Sequence, residues 1–184
     1  MAIPTPEDCR RLMERYRMPD HIRAHSLLVG RVAELLARAL LARGEAIQVE
    51  LALAGGLLHD IAKALCLDHD CNHARLGQEI CREHGYPEVG PLVAEHVVLR
   101  REFNGRCNER EIVYYADKRV SHATIVTLEE RRDDIIRRYA PTDAERQQQI
   151  RDNFLICKRL EKRLFAGLAL APGDLAQRME EEQG

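Results

Sequence analysis

The chain has 184 residues, with 28 Lys and Arg against 30 Asp and Glu and a formal net charge of −2. This length fits one domain that buries its own apolar core, so neither disulfides nor structural metals are needed for folding. The near-zero net charge excludes the strong basic field of a non-specific nucleic-acid binder. The aromatic content of 4 %, with no Trp, favours a helical protein over an all-β one.

The N-terminal sequence and the apolar segments predict a cytoplasmic protein. The chain begins MAIPTPEDCRR, which has no apolar signal core, and its most apolar run, within 51–59, is far shorter than the ~20 residues of a membrane span. The cysteines form no CxxC pair, so in the cytoplasm they are expected to be reduced thiols. They are Cys9, Cys66, Cys71, Cys81, Cys107 and Cys157.

Helical periodicity and capping signals predict four helices in the first half of the chain. Thr5 is an N-cap candidate before the first helix, and Gly44 and Gly85 mark the ends of the second and the fourth. The third is apolar on nearly every side, which predicts a central position. The four helices cover residues 6 to about 17, 20–43, 49–65 and 73–84.

The second half of the chain also has helical signals, and no segment alternates with the period of a strand. Asn108 and Glu111 have the form of a capping box, and the polar tail after Gly173 is expected to fray. The sequence therefore predicts an all-α bundle of about seven to nine helices in a single domain, 1–184. One later helix follows Pro87 and runs to about residue 100, and another carries residues 114–120. Two more flank Pro141, and the second of these starts at Thr142.

Polar residues stand where the helical pattern predicts burial. His25 lies four residues before Val29 on a core-facing stripe; a single such histidine is more often a hydrogen-bonded core residue than a ligand. His59 and Asp60, however, stand in the most apolar segment, where an unpaired carboxylate would shift its pKa or recruit a cation. An imidazole beside that carboxylate makes a divalent metal ion the natural cation.

These residues occur in an order that resembles a known family. His25, then His59 and Asp60 within LLHDIAK, then Asp117 within YYADKRV resemble the H…HD…D signature of the HD-domain metal-dependent phosphohydrolases, which are all-α. The resemblance implies that these four residues hold one divalent metal ion. It also implies an HD core at about 20–140, followed by a C-terminal helical extension at about 141–184.

Two further histidines suggest a second metal ion. His73 heads a predicted helix, and His96 follows apolar residues at helical spacing. Their surroundings resemble the dinuclear branch of the family, which includes symmetrical bis(5′-nucleosyl)-tetraphosphatases and in which the HD aspartate, here Asp60, bridges two ions. The alternative is a hydrogen-bonded helix-end or core histidine. The expectation is one or two ions per chain, drawn from Fe, Mn, Co, Ni, Zn or Mg. His122 is at best a supporting residue outside the ligands.

Basic residues near these positions are candidates for binding the substrate. Lys63 lies one helical turn after His59, so its ammonium group could meet a phosphate; alternatively it extends along apolar surface into solvent. Arg100, Lys118 and Arg119 could line a phosphate entrance, although runs of charge are usually solvated.

The resemblance implies hydrolysis of a small phosphorylated molecule, a nucleotide or related phosphoester, by a metal-activated water. Asp60 and Lys63 are the predicted catalytic residues, one at the metal ions and the other stabilising the developing phosphoryl charge. The sequence contains no Walker loop, no GxGxxG and no GxSxG motif. Two alternatives stay open: a non-catalytic module that binds a nucleotide and metal, and a di-iron oxygenase on the same fold.

Overall fold

The computed structural model describes residues 2–67, 71–99 and 105–181, and most of these residues are helical. Within those ranges the all-α prediction is confirmed, and one short antiparallel hairpin, β1 (Val120–Ser121) and β2 (Thr124–Ile125), is added to it. None of the described helices is long and apolar enough to cross a membrane. The helices are α1 (Pro6–Arg15), α2 (Asp20–Ala42), α3 (Val49–Leu58), α4 (His73–Glu83), α5 (Gly90–Glu95), α6 (Glu109–Lys118), α7 (Leu128–Tyr139), α8 (Ala144–Phe165) and α9 (Leu175–Glu181), with 3₁₀ turns at Ala64–Cys66 and Pro172–Asp174.

Helix α3 lies at the centre of the bundle, as its uniform apolarity predicts, and packs against α1, α2, α5 and α6. Gly56 of α3 faces Gly30 of α2 so closely that a Cβ on Gly56 would lie 2.7 Å from the Gly30 Cα. Only a residue without a side chain fits this crossing. The glycine pair therefore sets the spacing between the two helices that carry the first predicted ligands.

Helices α3 and α5 end earlier than the sequence predicts, and a histidine follows each end. The His59 ring donates from Nδ1 to the Gly56 carbonyl over 2.7 Å, and the His96 ring donates from Nδ1 to the Val93 carbonyl over 2.6 Å. Each ring thus binds a carbonyl in the last turn of its own helix, a group that helix ends leave without an intrahelical partner. The chain then continues in turns, so the HD pair lies just beyond a helix end.

The capping box predicted for α6 is confirmed: Asn108 accepts from the Glu111 amide over 3.2 Å, and the Glu111 carboxylate accepts from the Asn108 amide over 3.2 Å. The start predicted for the last long helix is one residue too early. Its N-cap is Asp143, which accepts from the Arg146 amide over 2.9 Å, and not Thr142. An aspartate is as good an N-cap as a threonine, so the spacing alone could not decide between them.

The polar tail is ordered as far as residue 181, contrary to the prediction that it frays. Helix α9 buries Leu175 and Met179 against the rest of the protein. Arg31 of α2 donates to the Met179 carbonyl over 2.9 Å. Two apolar residues four positions apart lie on the same face of a helix and can dock it. Sequence reasoning missed this pair because most of the residues around it are charged or polar.

The prediction of six reduced cysteines is wrong for one pair, because Cys66 and Cys71 form a disulfide across Cα atoms 5.3 Å apart. The other four cysteines are free and buried. Burial raises the pKa of Cys9, Cys81 and Cys157 to about 12, so these thiols are protonated at neutral pH.

Candidate metal centre

The predicted ligands converge on one cluster from five helices. The centroids of the His59 and His25 rings lie 5.2 Å apart, those of His59 and His96 lie 5.0 Å apart, and those of His96 and His73 lie 5.2 Å apart. Only His73 is partly exposed. The cluster consists of His25 from α2, His59 and Asp60 directly after α3, His73 at the start of α4, His96 directly after α5, and Asp117 from α6.

Backbone carbonyls fix the tautomer of three of these histidines. His59 and His96 bind carbonyls at their own helix ends, and the His25 Nδ1 lies 3.0 Å from the carbonyl of His122 in the β1–β2 turn. A carbonyl only accepts hydrogen bonds, so each Nδ1 carries a proton. In the neutral imidazole the Nε2 then carries the lone pair, and it is the Nε2 that faces the cluster: that of His25 lies 3.1 Å from the Asp117 Oδ1, and that of His96 lies 3.3 Å from the His73 Nε2. This is the arrangement in which histidines bind metal ions.

The first half of the cluster joins His25, His59, Asp60 and Asp117. The Asp117 Oδ1 lies 3.1 Å from the His25 Nε2 and 3.6 Å from the His59 Nε2. The His59 Nε2 is 3.4 Å from the Asp60 Oδ2. His25, His59 and Asp60 each offer one ligand atom, and these three atoms lie within 4.8 Å of one another. That is close enough for them to share a cation.

The second half of the cluster joins Asp60, His73 and His96 through the other oxygen of Asp60. The Asp60 Oδ1 lies 3.6 Å from the His73 Nε2 and 3.5 Å from the His96 Nε2, and these two nitrogens are 3.3 Å apart. The three ligand atoms again lie within 4.8 Å of one another. Asp60 therefore directs one oxygen to each half of the cluster.

The residues fit a metal ion because the cluster contains buried polar atoms that the protein does not satisfy. The His59 Nε2 and the Asp60 Oδ1 are buried and have no hydrogen-bond partner in the part of the chain that the structure describes. Each such atom costs about 1–3 kcal/mol when unpaired. A lone pair on an imidazole and a carboxylate oxygen are both acceptors, and a divalent cation satisfies both.

The protonation states of the acidic and basic ligands also suit a cation. Burial opposes ionisation of Asp60, but His59, His96 and Lys63 hold its pKa well below the usual range. Burial likewise opposes ionisation of Asp117, and Lys118, His25, His59 and Arg131 hold its pKa well below the usual range. Burial, followed by the neighbouring His96, lowers the pKa of His73 to about 4, so its imidazole is neutral at pH 7. Metal ligands need these forms.

Lys63 reaches the cluster from the solvent side. Its Nζ donates to the Asp60 Oδ2 over 2.7 Å, and a third of its side chain is exposed. The sequence predicts that Lys63 shares a face with His59. The tighter turns after α3 instead bring it to Asp60, three residues earlier, through a backbone that is hydrogen-bonded at i→i+3 spacing.

Of the other three predicted substrate-binding residues, Lys118 and Arg119 are buried and do not form an exposed entrance. Lys118 is buried and donates to the His96 carbonyl over 2.8 Å and to the Asp117 Oδ2 over 2.7 Å, so it supports two ligands from behind. Arg119 is buried and binds the carbonyls of Val126 and Pro172. It joins α6 to the C-terminal segments. Arg100 lies outside the described residues.

Sequence reasoning missed two groups beside the cluster. His122 acts through its backbone carbonyl, in a left-handed conformation with φ of +54°, which no side-chain motif can reveal. Arg131 of α7 lies with its Nη2 3.8 Å from the Asp117 Oδ1. It is one of several charged residues in LEERRDDIIRRY, so its neighbours in the sequence do not distinguish it.

The six ligand candidates all lie within one family match. The model of the HD domain matches residues 22–120, which is more than half of the chain. The chain belongs to the HD-domain family. Its α2–α6 segment carries the HD-domain match, whereas Arg131 on α7 lies beyond it.

Curated relatives match part of this chain and less than half of their own length. An uncharacterized protein of Methanocaldococcus jannaschii is 40 % identical over 76 residues, 41 % of this chain and 44 % of that protein. Ribonuclease Y of Fusobacterium nucleatum is 33 % identical over 103 residues, 52 % of this chain and 19 % of that protein. Ribonuclease Y of Thermosipho melanesiensis is 39 % identical over 87 residues, which cover 47 % of this chain and 16 % of that protein. The chain thus spans less than half of each of these relatives. No solved structure gives a significant match.

Proposed function

We propose that this chain is a metal-dependent phosphohydrolase that acts on a nucleotide or a related phosphoester. Membership of the HD-domain family places it in a superfamily of metal-dependent phosphohydrolases. The observation that carries the proposal for this chain is the set of buried, unsatisfied lone pairs on His59 and Asp60, in a cluster whose tautomers are fixed for metal binding. A purely structural cluster would pair these atoms with donors.

In this proposal His25, His59, Asp60 and Asp117 hold one ion, and Asp60, His73 and His96 hold another. When bound, the ions supply Lewis acidity that activates water and neutralises charge on phosphoryl oxygens. Lys118 holds Asp117 through its Oδ2, which leaves the Oδ1 directed at the histidines. The protein thus supplies ligands whose orientation is fixed before any substrate arrives.

Lys63 has a separate role in the proposed reaction. Its ammonium group binds Asp60 on the open side of the cluster, where a substrate would approach. A lysine side chain has a flexible stem and a compact charge, so it can turn from the carboxylate to a phosphoryl oxygen as negative charge develops there.

An open cleft beside His73 offers room for the rest of the substrate. Its volume is about 380 Å³, and Ala94, Val97 and Val98 give it an apolar wall with Asn72 nearby. Clefts of this size that combine apolar walls with a few polar groups are typical of small-molecule sites. An apolar surface next to a phosphate-binding metal centre suits the base of a nucleotide. The Ribonuclease Y relatives add RNA phosphodiesters to the substrates worth testing.

The test is metal content together with product release from a panel of nucleoside phosphates, dinucleoside polyphosphates and short RNAs. The expected result is hydrolysis that EDTA abolishes, Mn²⁺ restores and removal of oxygen leaves unchanged. A matched control is His84→Ala, because His84 binds Tyr16 away from the cluster. Oxygen consumption without phosphate release would favour the oxygenase alternative, and nucleotide binding without turnover would favour the non-catalytic module.

A further inference from the structure

Arg131 brings a cation to the cluster from α7, outside the segment that carries the ligands. Its side chain is only 11 % exposed, and its Nη2 lies 3.8 Å from the Asp117 Oδ1. That distance is too long for a hydrogen bond. Arg131 is therefore a buried charge that faces a carboxylate of the cluster without binding it directly.

The guanidinium group of Arg131 has more donors than partners. It offers five N–H groups, and the hydrogen bond described for it joins Nη1 to the Asp134 Oδ2 at 3.5 Å. Its Nε is buried without a partner among the described residues. Asp134 also accepts from Arg137, Arg138 and Ser121, with distances of 2.7 Å from both arginines, so Arg131 shares this carboxylate with three other donors.

The carboxylate of Asp117 is also shared with other residues. Its Oδ2 accepts from Lys118 over 2.7 Å, and its Oδ1 lies 3.1 Å from the His25 Nε2. Asp60, Asp117 and Asp134 thus provide three negative charges against five positive charges, before any metal ion is counted, from Lys63, Lys118, Arg131, Arg137 and Arg138. Divalent cations would increase the excess of positive charge, which calls for an anionic ligand.

We propose that Arg131 is a phosphate-binding residue of this centre, whose planar guanidinium group binds phosphoryl oxygens of the substrate. This inference rests on the proposed function and deepens it, because it selects substrates with a phosphate group that has at least two free oxygens in reach of the guanidinium fork. Such groups are bound by arginine through two parallel hydrogen bonds. Lys63 meets the same substrate from the Asp60 side.

Binding of inorganic phosphate tests this role without requiring turnover. Equilibrium dialysis of ³²P-phosphate is measured on the Mn²⁺-loaded wild type, Arg131→Ala, Arg131→Gln and the control Arg132→Gln. Arg132 lies on the same helix and pairs with Asp133 instead of the cluster. Metal content and circular dichroism are measured on every variant.

The Ala and Gln variants are expected to bind phosphate about 10- to 100-fold more weakly, with unchanged metal content, because each loses charge-assisted hydrogen bonds. Arg132→Gln is expected to match the wild type. Wild-type phosphate affinity in Arg131→Gln, loss of metal from it, or no phosphate binding by the wild type would each overturn the inference. If Arg131→Ala does not fold, Arg131→Gln decides.

The two proposals can fail separately. Substrate hydrolysis that is equal in the wild type and Arg131→Gln would leave the proposed function standing and remove Arg131 from it. Phosphate binding that depends on Arg131, in a protein that hydrolyses no substrate of the panel, would support the inference and contradict the proposed function.

Discussion

Asp60 is the residue on which the proposed centre depends most, because each of its oxygens faces a different group of histidines. The Oδ2 lies 3.4 Å from the His59 Nε2, and the Oδ1 lies 3.5 Å from the His96 Nε2. A carboxylate in this position can bridge two cations. Its loss would remove one ligand from both halves of the cluster.

We therefore expect Asp60→Ala to lose bound metal and to lower turnover by at least roughly 1,000-fold, because the metal provides several kcal/mol of transition-state stabilisation. The helix content is expected to stay the same, since Asp60 lies beyond the end of α3. Elemental analysis, kinetics and circular dichroism measure the three quantities. Full metal content with full activity would show that Asp60 is not a ligand.

The proposed second metal ion depends on His73 and His96. Neither belongs to the group formed by His25, His59 and Asp117, and both direct Nε2 at the Asp60 Oδ1. We expect His73→Ala and His96→Ala each to lower the metal content from near two ions per chain toward one, because each removes a ligand from one half only. Elemental analysis of the Mn²⁺-loaded proteins tests this. A wild type that holds a single ion would refute the dinuclear assignment.

Lys63 separates metal binding from catalysis. We expect Lys63→Ala to keep its metal and to lose about 10- to 100-fold in turnover, because the ammonium group acts on the phosphoryl group and does not coordinate the ion. Lys158→Ala is a control, since Lys158 pairs with Glu129 elsewhere on the surface. If Lys63→Ala has the kinetics of the wild type, Lys63 only shields Asp60.

At the scale of single residues, the sequence predicts groups that depart from an apolar pattern and misses those that act through the backbone. His25, His59 and Asp60 stand out because they are polar in apolar segments, and Asp117 stands out through the order of the motif. The structure brings all four together with His73 and His96. The His122 carbonyl has no sequence signal at all. Arg131 stands among other arginines, and only tertiary packing makes it different.

The central elements of the bundle are α2 and α3, and their spacing depends on two glycines. A Cβ on Gly56 would lie 2.7 Å from the Gly30 Cα and 2.9 Å from the Gly30 nitrogen. Both of these are backbone atoms, which cannot rotate out of the way as a side chain can. The helices themselves would have to separate.

We expect Gly56→Ala to lower the free energy of unfolding by about 1–3 kcal/mol, the usual cost of overpacking a core. It should also weaken metal binding, because α2 carries His25 and α3 leads into His59. The control is Gly173→Ala, where an added Cβ would contact nothing within 4 Å. Urea denaturation and metal titration test both effects. Equal stability of the two variants would show that the helix crossing adapts.

Helix starts are predicted from the sequence more accurately than helix ends. The capping boxes at Thr5 and Asn108 contain both partners within four residues, so they can be found by spacing alone. The ends of α3 and α5 depend on histidine rings that bind carbonyls, and a histidine is not a helix-stop signal. Helix α9 was missed because its docking contacts come from α2, far away in the chain.

The stability of the whole molecule in acid depends on carboxylates that are ionised in the folded state, and Asp134 is one outside the metal cluster. Burial opposes its ionisation, but Arg137, Arg138 and Ser121 lower its pKa below the usual value. A carboxylate with a lowered pKa stabilises the fold above its unfolded pKa of about 4, and this contribution is lost as pH falls through the folded pKa.

We expect Asp134→Asn to be less stable than the wild type at pH 7, and the difference to shrink as the pH falls below about 4, where the wild-type carboxylate becomes protonated. Urea denaturation at both pH values measures the gap. Asp133→Asn is the control, because Asp133 is more exposed and pairs with its neighbour Arg132. A gap that is the same at pH 7 and in acid would show that Asp134 contributes by shape and not by charge.

The hydrogen bonds from the His59 and His96 rings to carbonyls in their own helices bear on the order in which the protein is assembled. In each of these hydrogen bonds the Nδ1 proton binds a carbonyl at the end of the helix. The same proton fixes the orientation of a histidine ring that is a candidate metal ligand. The lone pairs are therefore aligned as soon as the helices form, with no contribution from the ion. The chain can thus fold first and receive its metal afterwards, unlike small domains whose metal drives folding.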